Sequence, residues 1–367
     1  MILQGVMVHK LTDREHVLSQ TREFVSLQVS ERPSLLAVFL VGSVARADSM
    51  WVDVVDVDIV FVDSKPPIIV DPCMFWKESL LIDMHYSRPG DYENKHTLRT
   101  DALRAQAIYD AIPLYDTKNY FALLQAHLRG QFDTPENVCA RSVDAIRRAY
   151  FYYEQIAGYI RNPVPIPVDP ISVKSLLESI HWIVAAILML SYKSNYGRRQ
   201  MLVFNEMLTN NKNTDLIDLT DNSMGCLGIN EDNMEWLTKS WLEMFRAAGV
   251  FHEGPWSVDS CVHPFKEKYY LEGFKALSLA GCSRASLLLM EYTFASALNQ
   301  VITFAPAEDA VKYIDIYEKW MQITYKGNEE QFVDRLTNLT ELLNQVESMI
   351  GNFAARNSIE IDYIFKR

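Results

Sequence analysis

Two aspartates one residue apart open an apolar run, Asp56-Val-Asp-Ile-Val-Phe-Val62. On a strand, residues i and i+2 point to the same face, so Asp56 and Asp58 present their carboxylates side by side. Adjacent like charges repel, and each disfavours ionisation of the other unless something neutralises them. A divalent cation does this, and hard carboxylate oxygens suit Mg²⁺. Upstream, the apolar run Leu36–Val41 ends in Gly42-Ser43. Gly42 lets backbone approach a ligand closely. Ser43 offers a hydroxyl, and the residues after it open a helix whose free N–H groups favour phosphate. A phosphate cradle beside paired carboxylates points to nucleoside triphosphate chemistry. A further acid, Asp83, stands mid-strand in Leu80-Leu-Ile-Asp-Met-His-Tyr86, with His85 on its face. A buried acid there is costly unless it is paired or binds metal.

The elements that position these residues follow from hydrophobic periodicity. An amphipathic helix is expected over Leu11–Val29, with Asp13 near its start, and a strand over Leu35–Val41. A short helix over Val44–Met50 precedes a strand over Val55–Val62, which Ser64-Lys-Pro-Pro67 ends. Ser79–Tyr86 reads as the next strand, Thr100–Ala111 as a helix, Ile112–Asp116 as a strand, and Asn119–Gly130 as a helix. From Asn137 onward the pattern is long and helical, with candidates over Val138–Arg161, Pro170–Tyr192, Gln200–Leu208, Glu231–Ala248, Phe265–Leu279, Ser283–Val301, Ala307–Lys326 and Glu329–Ile350. Asn162–Pro170 reads as a semi-rigid proline-rich linker and Asn210–Asn230 as a polar loop.

Gly42-Ser43-Val-Ala-Arg46-Ala47, followed by Asp56-Val-Asp58 and a later strand acid, resembles the polymerase-β-like nucleotidyltransferase superfamily, most closely its small-molecule, antibiotic-modifying and minimal members. Ala47 stands where those members commonly have Gly. The resemblance covers about the first third of the chain. It implies an α+β fold: a small mixed β-sheet nucleotidyltransferase domain (1–136), then a large α-helical domain (137–367) that completes the cleft and binds the acceptor. It implies Asp83 as third metal ligand with Asp56 and Asp58, two Mg²⁺ ions, and an NTP, by default ATP, as donor. The implied activity is transfer of a nucleoside monophosphate to a small-molecule hydroxyl, releasing pyrophosphate. Nucleotidylation of a protein or tRNA, or a silent nucleotide-binding module, are the alternatives.

Arg46, at the end of the Gly-Ser turn, suits bidentate phosphate contact. In the helical part, Asp169 and Pro170 make a helix start. Lys174, Glu178 and His181 then form one polar stripe on an otherwise apolar helix. The functional reading gives Lys174 to the triphosphate and Glu178 the role of general base. A solvated Lys–Glu stripe is the plainer reading, and His85 reads as a packed strand histidine, or as a residue that supports the metal ligands or faces the acceptor. Tyr150, Tyr152, Tyr153 and Trp182 read as core aromatics or as a wall for a base or sugar.

The 367 residues carry a net charge of −12, which concentrates the chain along no nucleic-acid backbone and fits a cationic acceptor, though acidity is also common among cytosolic proteins. Five scattered cysteines lack metal or disulfide spacing and read as reduced packing residues. Met1–Lys10 lacks a signal-peptide pattern, and the most apolar run, Trp182–Leu190, is too short to span a bilayer. The expectation is a cytoplasmic protein without a membrane partner.

Overall fold

The computed structural model describes residues 13–48, 54–67, 73–77, 80–162, 168–193, 197–211, 214–225, 229–257, 260–280, 282–325 and 329–361. Met1–Lys10, Ser49 and Met50 of the expected Val44–Met50 helix, and most of the proline-rich linker lie outside them; the described part of that helix is shorter than expected, ending at Ala45 because Ala47 turns left-handed at φ +59°. The fold is mixed α+β, a five-stranded sheet followed by a helical region. The chain divides into two compact units: Met1–Leu98, Leu103–Gly130 and Gly254–Gly281 form the first, and Arg99–Ala102, Gln131–Glu253 and Cys282–Arg367 the second.

In the first unit, helix α1 (Arg14–Glu31) starts at Asp13, whose carboxylate accepts the Glu15 N–H at 3.1 Å. Strand β1 (Leu35–Val41) leads into the single turn α2 (Gly42–Ala45), then β2 (Val55–Asp63), β3 (Cys73–Trp76) and β4 (Leu80–Ser87). Helix α3 (Lys95–Thr100) precedes the expected Thr100–Ala111 helix, of which only α4 (Arg104–Asp110) forms, followed by β5 (Ile112–Asp116) and α5 (Tyr120–Arg129). The sheet order is β3-β4-β2-β1-β5. Strands β2 and β4 run parallel, and the other neighbours are antiparallel. Strand β3 is a four-residue edge, too short to show alternation in the sequence.

The two faces of the sheet differ in chemistry because the strands alternate. Val57, Ile59, Ile82 and Met84 bury one face against Val17 and Phe24 of α1. The opposite face carries Asp58 and Asp83. There Phe39 stacks on Phe121 of α5 at 4.2 Å between ring centres, and Leu81 and Cys73 pack with Tyr269. Tyr269 belongs to α11 (Lys266–Leu279), which the sequence groups with the later helices but which folds into the first unit.

The second unit contains α6 (Pro135–Ile156), α7 (Pro170–Leu190), α8 (Gln200–Asn210), α9 (Thr214–Met224), α10 (Glu231–Phe251), α12 (Ser283–Phe304), α13 (Ala307–Thr324) and α14 (Glu329–Arg356). Helix α9 replaces part of the expected Asn210–Asn230 loop. Its Leu216, Thr220 and Met224 recur every four residues and are buried, a helical stripe that its Asp and Asn content disguises. Helix α7 starts as expected, the Asp169 carboxylate accepting the Ile171 and Ser172 N–H groups at 3.0 and 2.9 Å. It is the only described helix long and apolar enough to cross a membrane, and 78% of that window is buried within the fold. Small serines seat it against α6: Ser179 donates to the Ala149 carbonyl, and Ser142 of α6 donates to that of Ala186, each at 3.0 Å.

Candidate metal-binding site

The parallel pairing of β2 and β4 sets Asp58 directly beside Asp83 and Val60 beside His85. One ligand atom from each of Asp58, Asp83 and His85 lies within 4.8 Å of the other two. Two strands that approach their register residues this closely make a site without any loop. Asp56 lies on the same face of β2, two residues before Asp58, and is not among the three.

Gly42 closes the site from the end of β1. Its φ is +76°, a conformation that side chains rarely adopt. A Cβ built there would lie 2.1 Å from Asp58 Oδ2, so only glycine lets the turn rest against this carboxylate. Ser43, half-buried, follows in α2. The turn ends in a cap of the type that glycine favours: the Ala47 N–H donates to the Val44 carbonyl at 3.3 Å and the Asp48 N–H to that of Ser43 at 3.0 Å. Ala47 itself has φ +59°. Arg14 of α1 braces the same turn, donating from Nε to the Val44 carbonyl at 2.9 Å and from Nη2 to that of Ala45 at 3.0 Å. Arg46 grips Asp48, with Nη2 and Nε 2.8 and 3.2 Å from Oδ2. Its charge also reaches Asp110, whose carboxyl is pushed up by burial against a hydrogen bond from Gln106 and the pull of Arg46.

Lys266, at the start of α11, is the functional candidate that the sequence hides. Its Nζ donates to Asp83 Oδ2 at 2.6 Å, with only 14% of the lysine side chain and 7% of the aspartate side chain exposed. Burial pushes the ammonium down. The charge and hydrogen bond of Asp83, with the charge of Asp56, outweigh it and hold the pKa above the ordinary lysine value. Glu272, further along α11, accepts the Val54 N–H at 3.0 Å and so anchors the entrance of β2. One sequence signal does mark Lys266: a cation in the first turn of a helix runs against the dipole and calls for a carboxylate.

The donor set fits a divalent ion. Lys266 takes Asp83 Oδ2, while the buried Oδ1 finds no hydrogen-bond donor among the described residues. A buried carboxylate oxygen left without a donor is costly unless a cation meets it. Asp58 and His85 are half-buried, open enough to admit one.

The polar stripe belongs to the second unit. Lys174, Glu178 and His181 are half-buried along α7, between positions that are buried. Lys174 Nζ lies over the Tyr292 ring, 5.1 Å from its centre. Burial pushes the His181 imidazole down, against the charge of Glu178 and a hydrogen bond with Gln200. Of the expected aromatic wall, Tyr153 hydrogen-bonds Thr340 at 2.7 Å and Trp182 lies under Arg148, 4.7 Å from its guanidinium carbon, so both are tied into packing. Cys73, Cys139, Cys261 and Cys282 form no disulfide among the described residues, and Cys226 lies outside them.

Neither a protein-family model nor a curated protein sequence matches this chain.

Proposed function

We propose that the protein is a metal-dependent nucleotidyltransferase of the polymerase-β-like kind, moving a nucleoside monophosphate from an NTP, ATP by default, to a hydroxyl of a small-molecule acceptor. One observation carries the reading: the Gly42 turn rests on the carboxylate of Asp58, which is in turn the register partner of Asp83. A glycine turn that feeds a helix start therefore sits against a carboxylate pair, the arrangement that triphosphate and cation need together.

The acceptor oxygen attacks the α-phosphorus and forms the new O–P bond. The bond from that phosphorus to the bridging oxygen breaks, pyrophosphate leaves, and the hydroxyl proton passes to a carboxylate. Asp56, Asp58 and Asp83 would hold two divalent ions, Mg²⁺ by default, whose chemistry is to neutralise phosphate charge and favour the attacking and leaving oxygens. Gly42 and Ser43 would set the phosphates with backbone N–H and hydroxyl groups. Arg46, already oriented by Asp48, would add a charged donor. Lys174 is the further phosphate candidate. Glu178 is the candidate base from the second unit, and Asp83 is the acid that takes its place if Glu178 does not serve. The rest of the catalysis is alignment.

Pyrophosphate release, measured with a panel of NTPs and hydroxyl acceptors with and without divalent metal, tests this reading. Asp58→Asn is expected to abolish transfer while the protein stays folded, because the site loses a charge and no core volume. Turnover retained in that variant, or no release with any NTP, refutes it. Ser43→Ala and Arg46→Ala should each weaken NTP binding about ten- to a hundredfold, the cost of one charge-assisted hydrogen bond.

A further inference from the structure

A site for Mg²⁺ alone is built from oxygen, because Mg²⁺ is hard and holds its water. The donors that converge here are two carboxylates and an imidazole, from Asp58, Asp83 and His85. Strand alternation places the imidazole there by construction. His85 is two residues beyond Asp83 on β4, on the same face, beside Val60 in the next strand. With Asp83 Oδ2 taken by Lys266 and Oδ1 left without a donor among the described residues, an ion at Asp83 has one oxygen available, and Asp58 and His85 each bring a ligand atom within 4.8 Å.

We propose that His85 is a direct metal ligand, and that it makes this position selective for a first-row transition ion, Mn²⁺ or a later one, over Mg²⁺. The inference rests on the reading of Asp58 and Asp83 as metal ligands and adds to it the identity of the ion. A neutral imidazole nitrogen binds first-row transition ions well and Mg²⁺ poorly, so the nitrogen separates the two where carboxylates alone would not. The chemistry asked of the ion, charge neutralisation at phosphate, is open to Mn²⁺ as well as to Mg²⁺.

The test uses the full chain and the metal alone, without nucleotide. Mn²⁺ affinity is read from the electron paramagnetic resonance signal of the free ion, Mg²⁺ affinity from calorimetry, and nitrogen coordination from ¹⁴N modulation of the bound Mn²⁺ signal. The wild-type protein should bind Mn²⁺ at least tenfold more tightly than Mg²⁺ and show ¹⁴N modulation. In His85→Asn the modulation should vanish and Mn²⁺ affinity should fall tenfold or more, with Mg²⁺ affinity changed by less than about threefold, since only the nitrogen donor is removed. Bound Mn²⁺ without ¹⁴N modulation in the wild-type protein overturns the assignment whether or not the variant folds. Equal losses of Mn²⁺ and Mg²⁺ affinity also overturn it. A wild-type protein that binds Mg²⁺ but shows no nitrogen ligand loses this inference alone, whereas one that binds neither ion loses the metal reading of Asp58 and Asp83 as well.

Discussion

Among the described residues each unit buries an ion pair, and the two are finished differently. In the second unit Arg335 and Glu291 approach to 3.6 Å with 4% and 3% of their side chains exposed. Arg335 donates to the Ser223 carbonyl at 2.9 Å and to that of Met224, the Tyr325 hydroxyl donates to Glu291 at 2.8 Å, and the guanidinium lies over the Tyr325 ring. The partners named here for this pair, two backbone carbonyls and a tyrosine, belong to the packing. In the first unit Asp83 has one oxygen on Lys266, another with no donor among the described residues, and two further metal-type donors within 4.8 Å. Buried charge by itself is therefore no sign of a site. The sign is a buried charge whose surroundings leave coordination to spare.

That contrast can be broken most sharply by removing the cation from each pair. Arg335→Met and Lys266→Met should each cost about 3–5 kcal/mol, the penalty of a buried charge left alone. Only the Lys266→Met loss should be recovered by millimolar Mn²⁺ or Mg²⁺, because only Asp83 can take an ion in place of the lysine. Thermal unfolding with and without metal measures both, and equal metal responses would erase the distinction. Next in size is Gly42→Ala. Its methyl would meet Asp58 Oδ2 at 2.1 Å in a backbone of φ +76°, so a loss of about 2–4 kcal/mol is expected, with weakened metal binding because Asp58 must move. Unchanged metal affinity would show that the turn does not hold Asp58.

The second unit should answer a proton instead. His181 has a folded pKa below its ordinary 6.5, so the unfolded chain binds the proton more readily. Its contribution is full above pH 6.5 and is lost as pH falls through that value toward the folded pKa. Chemical denaturation should thus show stability falling more steeply on acidification below pH 6.5 in the wild-type protein than in His181→Gln. Parallel profiles would assign the acid sensitivity elsewhere. The smallest expected effect is a gain. Ala47 has φ +59° at the cap of α2, and Ala47→Gly should raise stability by roughly 0.5–1 kcal/mol, relief of left-handed strain less the entropy of glycine. A loss would mean that the Ala47 methyl contributes contacts there.

The strands were legible where alternation was long enough to read. Asp56, Asp58 and Asp83 interrupt apolar runs at strand spacing, and the β2–β4 pairing that joins Asp58 to Asp83 needs nothing more. His85 was visible on the right face, but a single strand cannot say that its neighbour in the next strand is Val60. Edge strand β3 and helix α9 were missed for opposite reasons, the first too short for a period and the second too polar for its stripe to stand out. The partner of Lys266 was beyond reach: a cation in the first turn of a helix calls for a carboxylate, but no local pattern points to one 183 residues away. The stripe of Lys174, Glu178 and His181 was legible because helical spacing alone sets these residues on one face of α7.

The discontinuity of the first unit sets an order of events during synthesis. The ribosome makes Asp83 and the whole sheet first, then Gln131–Glu253 of the other unit, and only afterwards Gly254–Gly281. At typical elongation rates the 183 residues between Asp83 and Lys266 take about 10–40 s to appear. Throughout that interval the nascent sheet lacks both its ammonium and the Tyr269 cover on Leu81 and Cys73. If Asp58, Asp83 and His85 bind metal as proposed, an ion could meet that face before the helix arrives, and metal supply during translation would then change the yield of folded protein.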